Sequence, residues 1–497
     1  MDDATHGVFP QVLLDAFRRD PGVAAFEHGS RVVTRAEVLE LIGRFAAGLR
    51  AAGLGPGDGV AVATAVTPEG FAVQIAAQTL GCRFVGVRPG LTRAQLPYVV
   101  GEVDALVVDD TAAPELIAAA TRAKVLRVGP ELLRDHENPV AAGHPGDLAA
   151  VVFTSGSTGA PKGAAFDYAA VTAQWSWPSA PWGGQLRELS RAHRRFLLFG
   201  TLSSAVMLEH LGLCLLSGGT AVIPEALPDF PAVLTRLRIT AALMTVPRLH
   251  QVLDLLRTED HDLSGLRMLL VAGSPLAPHR LAEAFERVGP AMHHAYGQTE
   301  TGMLTVLTAG EVARWPDALG TVGRPGEQIG LELRDDTGNV VPDGTGGEIW
   351  VRTPHSVTRY WRDEAETAAV LSDGWVRTRD LGRVDERGYV HLTGRTRDVI
   401  IVNAIIHYAG AIEQVLASHP DVDQAYVVGA PDERTGEAAH AFVVGAEGRE
   451  PDAAALRTLV ERELGAASVP ATLTVVTTVP TLPSGKPDKR ALLAAER

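Results

Sequence analysis

The sequence predicts an α/β protein: a large N-terminal part of parallel-rich sheets flanked by helices, with a small β-barrel-like portion, followed by a small α+β domain. Three textures carry that expectation. In the first half, short apolar runs at 60–64, 105–108, 241–245 and 267–271 alternate with amphipathic helical patterns. That rhythm belongs to parallel sheets covered by helices. From about residue 320, Gly/Asp-rich turns separate short runs at 347–351 and 388–392, as in antiparallel hairpins or a small barrel. Beyond residue 395 come an apolar run at 399–402, a helical pattern at 411–418, strands near 425–428 and 441–444, and a helix from Asp452. No internal repeat or low-complexity tract interrupts these textures.

Composition narrows the class. A chain of 497 residues exceeds one compact domain, and its length alone suggests about three. Hydrophobic content of 46% with 21% charged residues is that of a soluble globular enzyme. A net charge of −14 argues against a nucleic-acid surface, which needs clustered Lys and Arg. Cys82 and Cys214 lie far apart in apolar surroundings and read as buried free thiols. The N-terminus, Met-Asp-Asp-Ala-Thr-His, lacks the basic and apolar regions of a signal peptide. The longest apolar stretch, 197–223, contains Glu209, His210 and four glycines, which makes it a poor membrane span. A cytoplasmic location is the default expectation, with neither nucleic acid nor membrane as partner.

After the apolar run 148–153 comes Thr154-Ser155-Gly156-Ser157-Thr158-Gly159-Ala-Pro-Lys162-Gly163. Its glycines and proline forbid regular structure and let backbone N–H groups approach an anion. Its hydroxyls and the Lys162 cation add donors suited to a polyphosphate. It is not a Walker A loop, because Gly163 stands where the magnesium-binding Ser or Thr belongs. Tyr296-Gly297-Gln-Thr299-Glu300-Thr-Gly302 follows. There an adjacent hydroxyl and carboxylate can contact a phosphate oxygen and its Mg²⁺, and the tyrosine offers a flat face to a purine. Trp375-Val-Arg-Thr-Arg379-Asp380 and Gly394-Arg395-Thr-Arg397-Asp398 come next, then Pro483-Ser-Gly-Lys486-Pro-Asp.

The four motifs, in this order and spacing, resemble the adenylate-forming superfamily of acyl- and aryl-CoA ligases, peptide-synthetase adenylation domains and luciferases. The resemblance implies an N-terminal ATP- and acid-binding domain over 1–394, a hinge at 395–397 with Arg397 as pivot, and a mobile C-terminal domain over 398–497 carrying Lys486. It implies that Thr154, Ser155, Gly156, Ser157, Thr158, Gly159 and Lys162 handle the phosphates and that Glu300 binds Mg²⁺. Gly273, Ser274, Pro275, His294, Ala295, Tyr296, Gly297 and Thr299 would line the adenine and α-phosphate. Asp380 would take both ribose hydroxyls, with Arg395 beside it as a ribose or phosphate contact. Lys486, Thr299, Glu300 and Lys162 would carry catalysis. The implied reaction is attack of a carboxylate on the α-phosphorus of Mg·ATP, then transfer to CoA or a carrier-protein phosphopantetheine.

Several positions depart from the family pattern. His294 stands where Asn is frequent; it reads as an adenine-side contact, with a part in the chemistry as the alternative. Arg379 replaces a glycine. Asn403 and Ala404 replace glycines that line the thiol tunnel, which can mean a narrowed tunnel, another nucleophile, or drift. Leu202-Ser203-Ser204 replaces an aromatic–His pair, so Ser203, Ser204, Gly273 and Gly297 are the candidate acid pocket. The aspartate that holds an α-amino group is not evident, which disfavours a plain α-amino acid. Trp175, Trp177 and Trp182 read as packing rather than as a lid over an aromatic acid. An aryl or medium-sized acyl acid is the expected substrate. A non-thiol acceptor, as in a diazotase that activates nitrite for an aryl amine, is the second reading. A non-catalytic nucleotide-binding protein is the third. Oligomeric state is not legible.

Overall fold

Runs rich in Val, Leu and Ala without a polar alternation belong in strands covered on both faces. In the computed structural model, Ala105–Val108 is fully enclosed in this way. The structure describes residues 7–495 apart from 155–160, 177–183, 275, 343, 397, 403–404, 433, 447 and 483–485.

Among the described residues the strands form four sheets. A seven-stranded sheet runs Arg359–Tyr360, Lys162–Asp167, Leu148–Thr154, Arg83–Gly86, Gly59–Ala63, Ala105–Val108, Lys124–Arg127, and is parallel from Leu148–Thr154 onward. A nine-stranded sheet is parallel from Met292–Gln298 through Ala24–His28, with antiparallel strands at both ends. Between the two sheets lies the helix Pro68–Thr79, apolar on nearly every face and opened by the Thr67 hydroxyl accepting the Gly70 N–H. The third sheet is five-stranded and antiparallel, with Trp375–Val384 at its centre. The fourth forms the α+β unit, where Gly436–Gly445 pairs with Val422–Asp432 under the helices Ala409–Ala417 and Ala453–Leu464.

The predicted architecture is therefore realised, and the differences are local. The strand expected at 388–392 begins at Val390, because Gly388 (φ +81°) closes a turn in which Asp385 and Tyr389 bond across it. Asp452 caps its helix instead of starting it, accepting the Ala454 N–H. Both cysteines are buried free thiols. Trp175 packs on Phe9 at 4.9 Å between ring centres, while Trp177 and Trp182 lie outside the described residues. No described helix is long and apolar enough to cross a membrane.

One apolar cluster joins Ala164, Tyr296, Ile349, Tyr360 and Val376, and so marks where the first three sheets meet. The α+β unit docks over that junction. Gln414 donates to the Leu392 carbonyl at 2.6 Å, and the Thr396 N–H donates to the Arg379 carbonyl at 2.9 Å. Farther out, buried Arg280 pairs with buried Asp423, with His250 Nδ1 3.7 Å from the same oxygen. Removing one partner of such a pair leaves a buried charge, at a cost of about 3–5 kcal/mol. Arg280→Leu should thus undock the last domain and speed tryptic cleavage at Arg395 by about tenfold or more. Cleavage at the wild-type rate would show that docking does not rest on this pair.

Candidate active site

Asp380 is the centre of the junction. It is 3% exposed, on the strand Trp375–Val384, and its backbone N–H is tied to the Thr378 hydroxyl at 3.1 Å. A carboxylate is stable at such burial only when donors converge on it. Tyr296 Oη donates to Oδ2 at 2.6 Å, Gln298 Nε2 to the same oxygen at 2.5 Å, and Arg395 Nε to Oδ1 at 2.6 Å. Burial and the neighbouring Asp380 push the Tyr296 phenol far above its usual range, so it stays a donor. Proximity to Asp380 holds Arg395 charged. The strand Met292–Gln298 bulges between Tyr296 and Gly297. A Cβ on Gly297 would come within 2.4 Å of the Gly302 carbonyl, so the bulge requires glycine.

Thr299 and Glu300 form the turn that follows. Tyr360 Oη donates to Glu300 Oε1 at 2.9 Å, and the Glu300 carbonyl accepts the Val357 N–H at 2.7 Å. The other Glu300 oxygen has no partner among the described residues, and a hard oxygen donor of this kind suits Mg²⁺. Lys162 opens the strand Lys162–Asp167 and pairs with Glu366 at 2.8 Å. Glu366 also receives both guanidinium nitrogens of Arg379 at 2.6 and 3.1 Å. Arg379 is left-handed (φ +62°), a conformation natural to the glycine it replaces. That bidentate bond offsets the backbone strain and holds the carboxylate that Lys162 shares.

Lys486 enters from the last domain on a loop closed by the Leu482 N–H donating to the Lys486 carbonyl at 2.8 Å. Lys489 fastens the loop to buried Glu413 at 2.5 Å. The Lys486 ammonium keeps access to solvent but is ringed by protein and makes no ion pair among the described residues. Its pKa is lowered by this crowding first and by Arg395 next, against the attraction of Glu300. Arg88, just past the strand Arg83–Gly86, also bears on Lys486 and has no partner among the described residues.

The acid side is less polar. Gly86 packs on Ser203, whose hydroxyl is engaged by Thr201 at 2.8 Å. Ser204 starts the helix Ala205–Leu216 without a side-chain cap. Gly273 (φ +100°) faces open space, Ser274 is half-buried, and Ala295 is buried. His294 is buried with Nδ1 unpartnered and its pKa is pushed down to about 4 by burial, so it stands neutral. Ser155, Gly156, Ser157, Thr158, Gly159, Pro275, Arg397, Asn403 and Ala404 lie outside the described residues. The structure brings Lys162, Thr299, Glu300, Tyr296, Asp380, Arg395 and Lys486 to one junction. It adds Gln298, Tyr360, Glu366 and Arg88, which sequence reasoning missed. Gln298 was legible as part of its motif; the other three carry no signal apart from the fold.

The family model for AMP-binding enzymes matches residues 13–361, and that for the AMP-binding enzyme C-terminal domain matches 411–486. The chain belongs to the adenylate-forming AMP-binding family. It is an AMP-forming ligase. It is similar to a feruloyl-CoA synthase of Amycolatopsis sp, 34% identical with 94% of this chain and 95% of that protein covered. It is likewise similar to the amide bond synthetase McbA from Marinactinospora thermotolerans, with TM-score 0.84, 34% identity, and 97% and 99% of the two chains covered. The ATP-bound MatB from Rhodopseudomonas palustris superposes with TM-score 0.84 at 26% identity over 97% and 98% of the chains.

Asp380→Asn places an amide N–H₂ against either Arg395 or the pair Tyr296 and Gln298. It should raise the KM for ATP about tenfold or more and cost about 2 kcal/mol in thermal unfolding. Wild-type values in both would remove Asp380 from the site's centre. A lysine that bridges two anions must be protonated, and the pKa of Lys486 is lowered. Acid-dependent pyrophosphate exchange should therefore fall with rising pH through a midpoint below 10.5, the unperturbed lysine value. Lys486→Arg should flatten that limb, and an identical limb in the variant would assign the titration elsewhere.

Proposed function

We propose that this ligase adenylates an aryl or medium-sized acyl carboxylic acid, and not a plain α-amino acid, and passes the acyl group to the thiol of CoA or of a carrier-protein phosphopantetheine. The observation that carries the reading is Lys486 reaching, from the last domain, the junction that holds Glu300, Asp380 and Arg395. A carboxylate oxygen of the acid bonds to the α-phosphorus of ATP while the bond to pyrophosphate breaks. Both reactants are anions, so the task of the protein is alignment and charge neutralisation. In this reading Asp380 holds the ribose hydroxyls, with Arg395 beside it. Lys486 bridges carboxylate and phosphate, Thr299 contacts the α-phosphate, and Lys162 with the loop that it closes receives the pyrophosphate. Mg²⁺, held by Glu300, would neutralise phosphate charge. Rotation of the 398–497 domain about 395–397 then admits the acceptor, whose thiolate bonds to the acyl carbon as AMP leaves.

A second reading keeps the adenylate and gives the acyl group to an amine. Two observations favour it: Asn403 and Ala404 stand where backbone-lining glycines would serve a thiol tunnel, and an amide bond synthetase is among the most similar solved structures.

Pyrophosphate release with cinnamic, benzoic and indole acids, octanoate, β-amino acids, α-amino acids and nitrite separates the substrates; CoA or an amine added afterwards separates the acceptors. The proposal expects release with an aryl acid and a thioester with CoA. An amide with no thioester would favour the second reading, and a preference for α-amino acids would overturn the first. Lys486→Ala should abolish release while ATP still binds, because each contact made only in the transition state is worth about 3–4 kcal/mol. Release near the wild-type rate would refute the role of Lys486.

A further inference from the structure

Two deeply buried polar side chains away from the nucleotide site face one point. Glu209, on the helix Ala205–Leu216, is 3% exposed, and His355, just past the strand Gly347–Arg352, is 4% exposed. Among the described residues, Glu209 Oε1 and the ring nitrogens of His355 make no well-formed hydrogen bond, although the Thr301 backbone bears on the imidazole. They meet over Gly302, where a Cβ would lie 3.0 Å from His355 Nε2 and 3.5 Å from Glu209 Oε1. Gly302 is left-handed (φ +69°), so the position is kept for a residue without a side chain. Native interiors leave few buried polar atoms unpaired, and Glu209 Oε1 and His355 Nε2 facing one point call for an occupant. Burial raises the Glu209 carboxyl to about 7, against the Met303 N–H, and lowers His355 to about 4, against the Thr301 backbone, so the imidazole is neutral and forms no ion pair with Glu209.

The point lies beside the elements that carry the candidate acid pocket. Gly302 is two residues past Glu300 and abuts Gly297. Glu209 lies just over one helical turn from Ser204, and neighbouring Ser203 packs on Gly86, two residues before Arg88. In the adenylation reading, an acid whose carboxylate sits near Lys486 and Thr299 would extend past Gly297 toward these residues.

We propose that Glu209 and His355 form a recognition point for the tail of the acid, selecting aryl acids that present an N–H or O–H donor there. The inference rests on the adenylation reading. A buried water bridging Glu209 Oε1 and His355 Nε2 is the competing occupant, and one experiment separates the two. Pyrophosphate release is measured for isosteric pairs, indole-2-carboxylic against benzofuran-2-carboxylic acid and 4-hydroxycinnamic against cinnamic acid, in the wild type, Glu209→Gln, Glu209→Leu and His355→Asn. The ratio of kcat/KM within a pair does not depend on how much protein is folded. The donor-bearing member of at least one pair should be preferred about tenfold or more by the wild type. That ratio should fall to about twofold or less in Glu209→Leu, and partly in Glu209→Gln and His355→Asn. No preference in the wild type, or a preference that none of the variants moves, would overturn the assignment and leave the adenylation reading intact. Release with none of the acids would instead contradict the adenylation reading, and the recognition point would fall with it.

Discussion

A single buried carboxylate holds this molecule's functional geometry together. Asp380 takes Tyr296 and Gln298 from the nine-stranded sheet and Arg395 from the strand that leads into the last domain. Left without those donors, a carboxylate at that depth would be strongly unfavourable. The same bonds therefore fix the third sheet against the second and set where the chain departs toward the α+β unit. In the proposed function, ribose recognition and interdomain geometry are mechanically one feature, because Asp380 also holds Arg395, whose charge presses on Lys486.

The charge distribution follows from that arrangement. The chain carries a net charge of −14, yet Lys162 and Arg379 meet on Glu366 while Arg395 and Arg88 both bear on Lys486. In the proposed function this local field, not net charge, would draw a polyphosphate and an acid together. Glu366 moderates the cluster by pairing with Lys162 and Arg379 at once. Lys162 is thereby held close without an unscreened neighbour, and an arriving anion competes with Glu366 for it.

Much of this was legible in the sequence, for identifiable reasons. Strands buried on both faces are read from unbroken apolar runs, as 105–108 shows; the run 399–402 is a strand too, but one that exposes Ile401. Short motifs made Tyr296, Thr299, Glu300 and Asp380 candidates, and the fold brings Asp380 to Tyr296 from 84 positions away. What escaped depends on long-range packing. Arg379 reads as a mild departure until Glu366 is seen across from it. Glu209 was noticed only as a carboxylate spoiling an apolar stretch, because its neighbour His355 is 146 positions away in the chain (355 − 209). Arg280 and Asp423 carry no local pattern, and only docking makes them a pair.

The central claim is that one assembled junction, completed by Lys486, splits ATP between its α- and β-phosphates in the service of an acid. The measurement that tests it most directly is the identity and stoichiometry of the nucleotide product, followed by phosphorus NMR with ATP, Mg²⁺ and an aryl acid. The account predicts AMP and pyrophosphate in equal amounts, formed only when the acid is present. ADP and inorganic phosphate, or AMP formed at the same rate without acid, would contradict it.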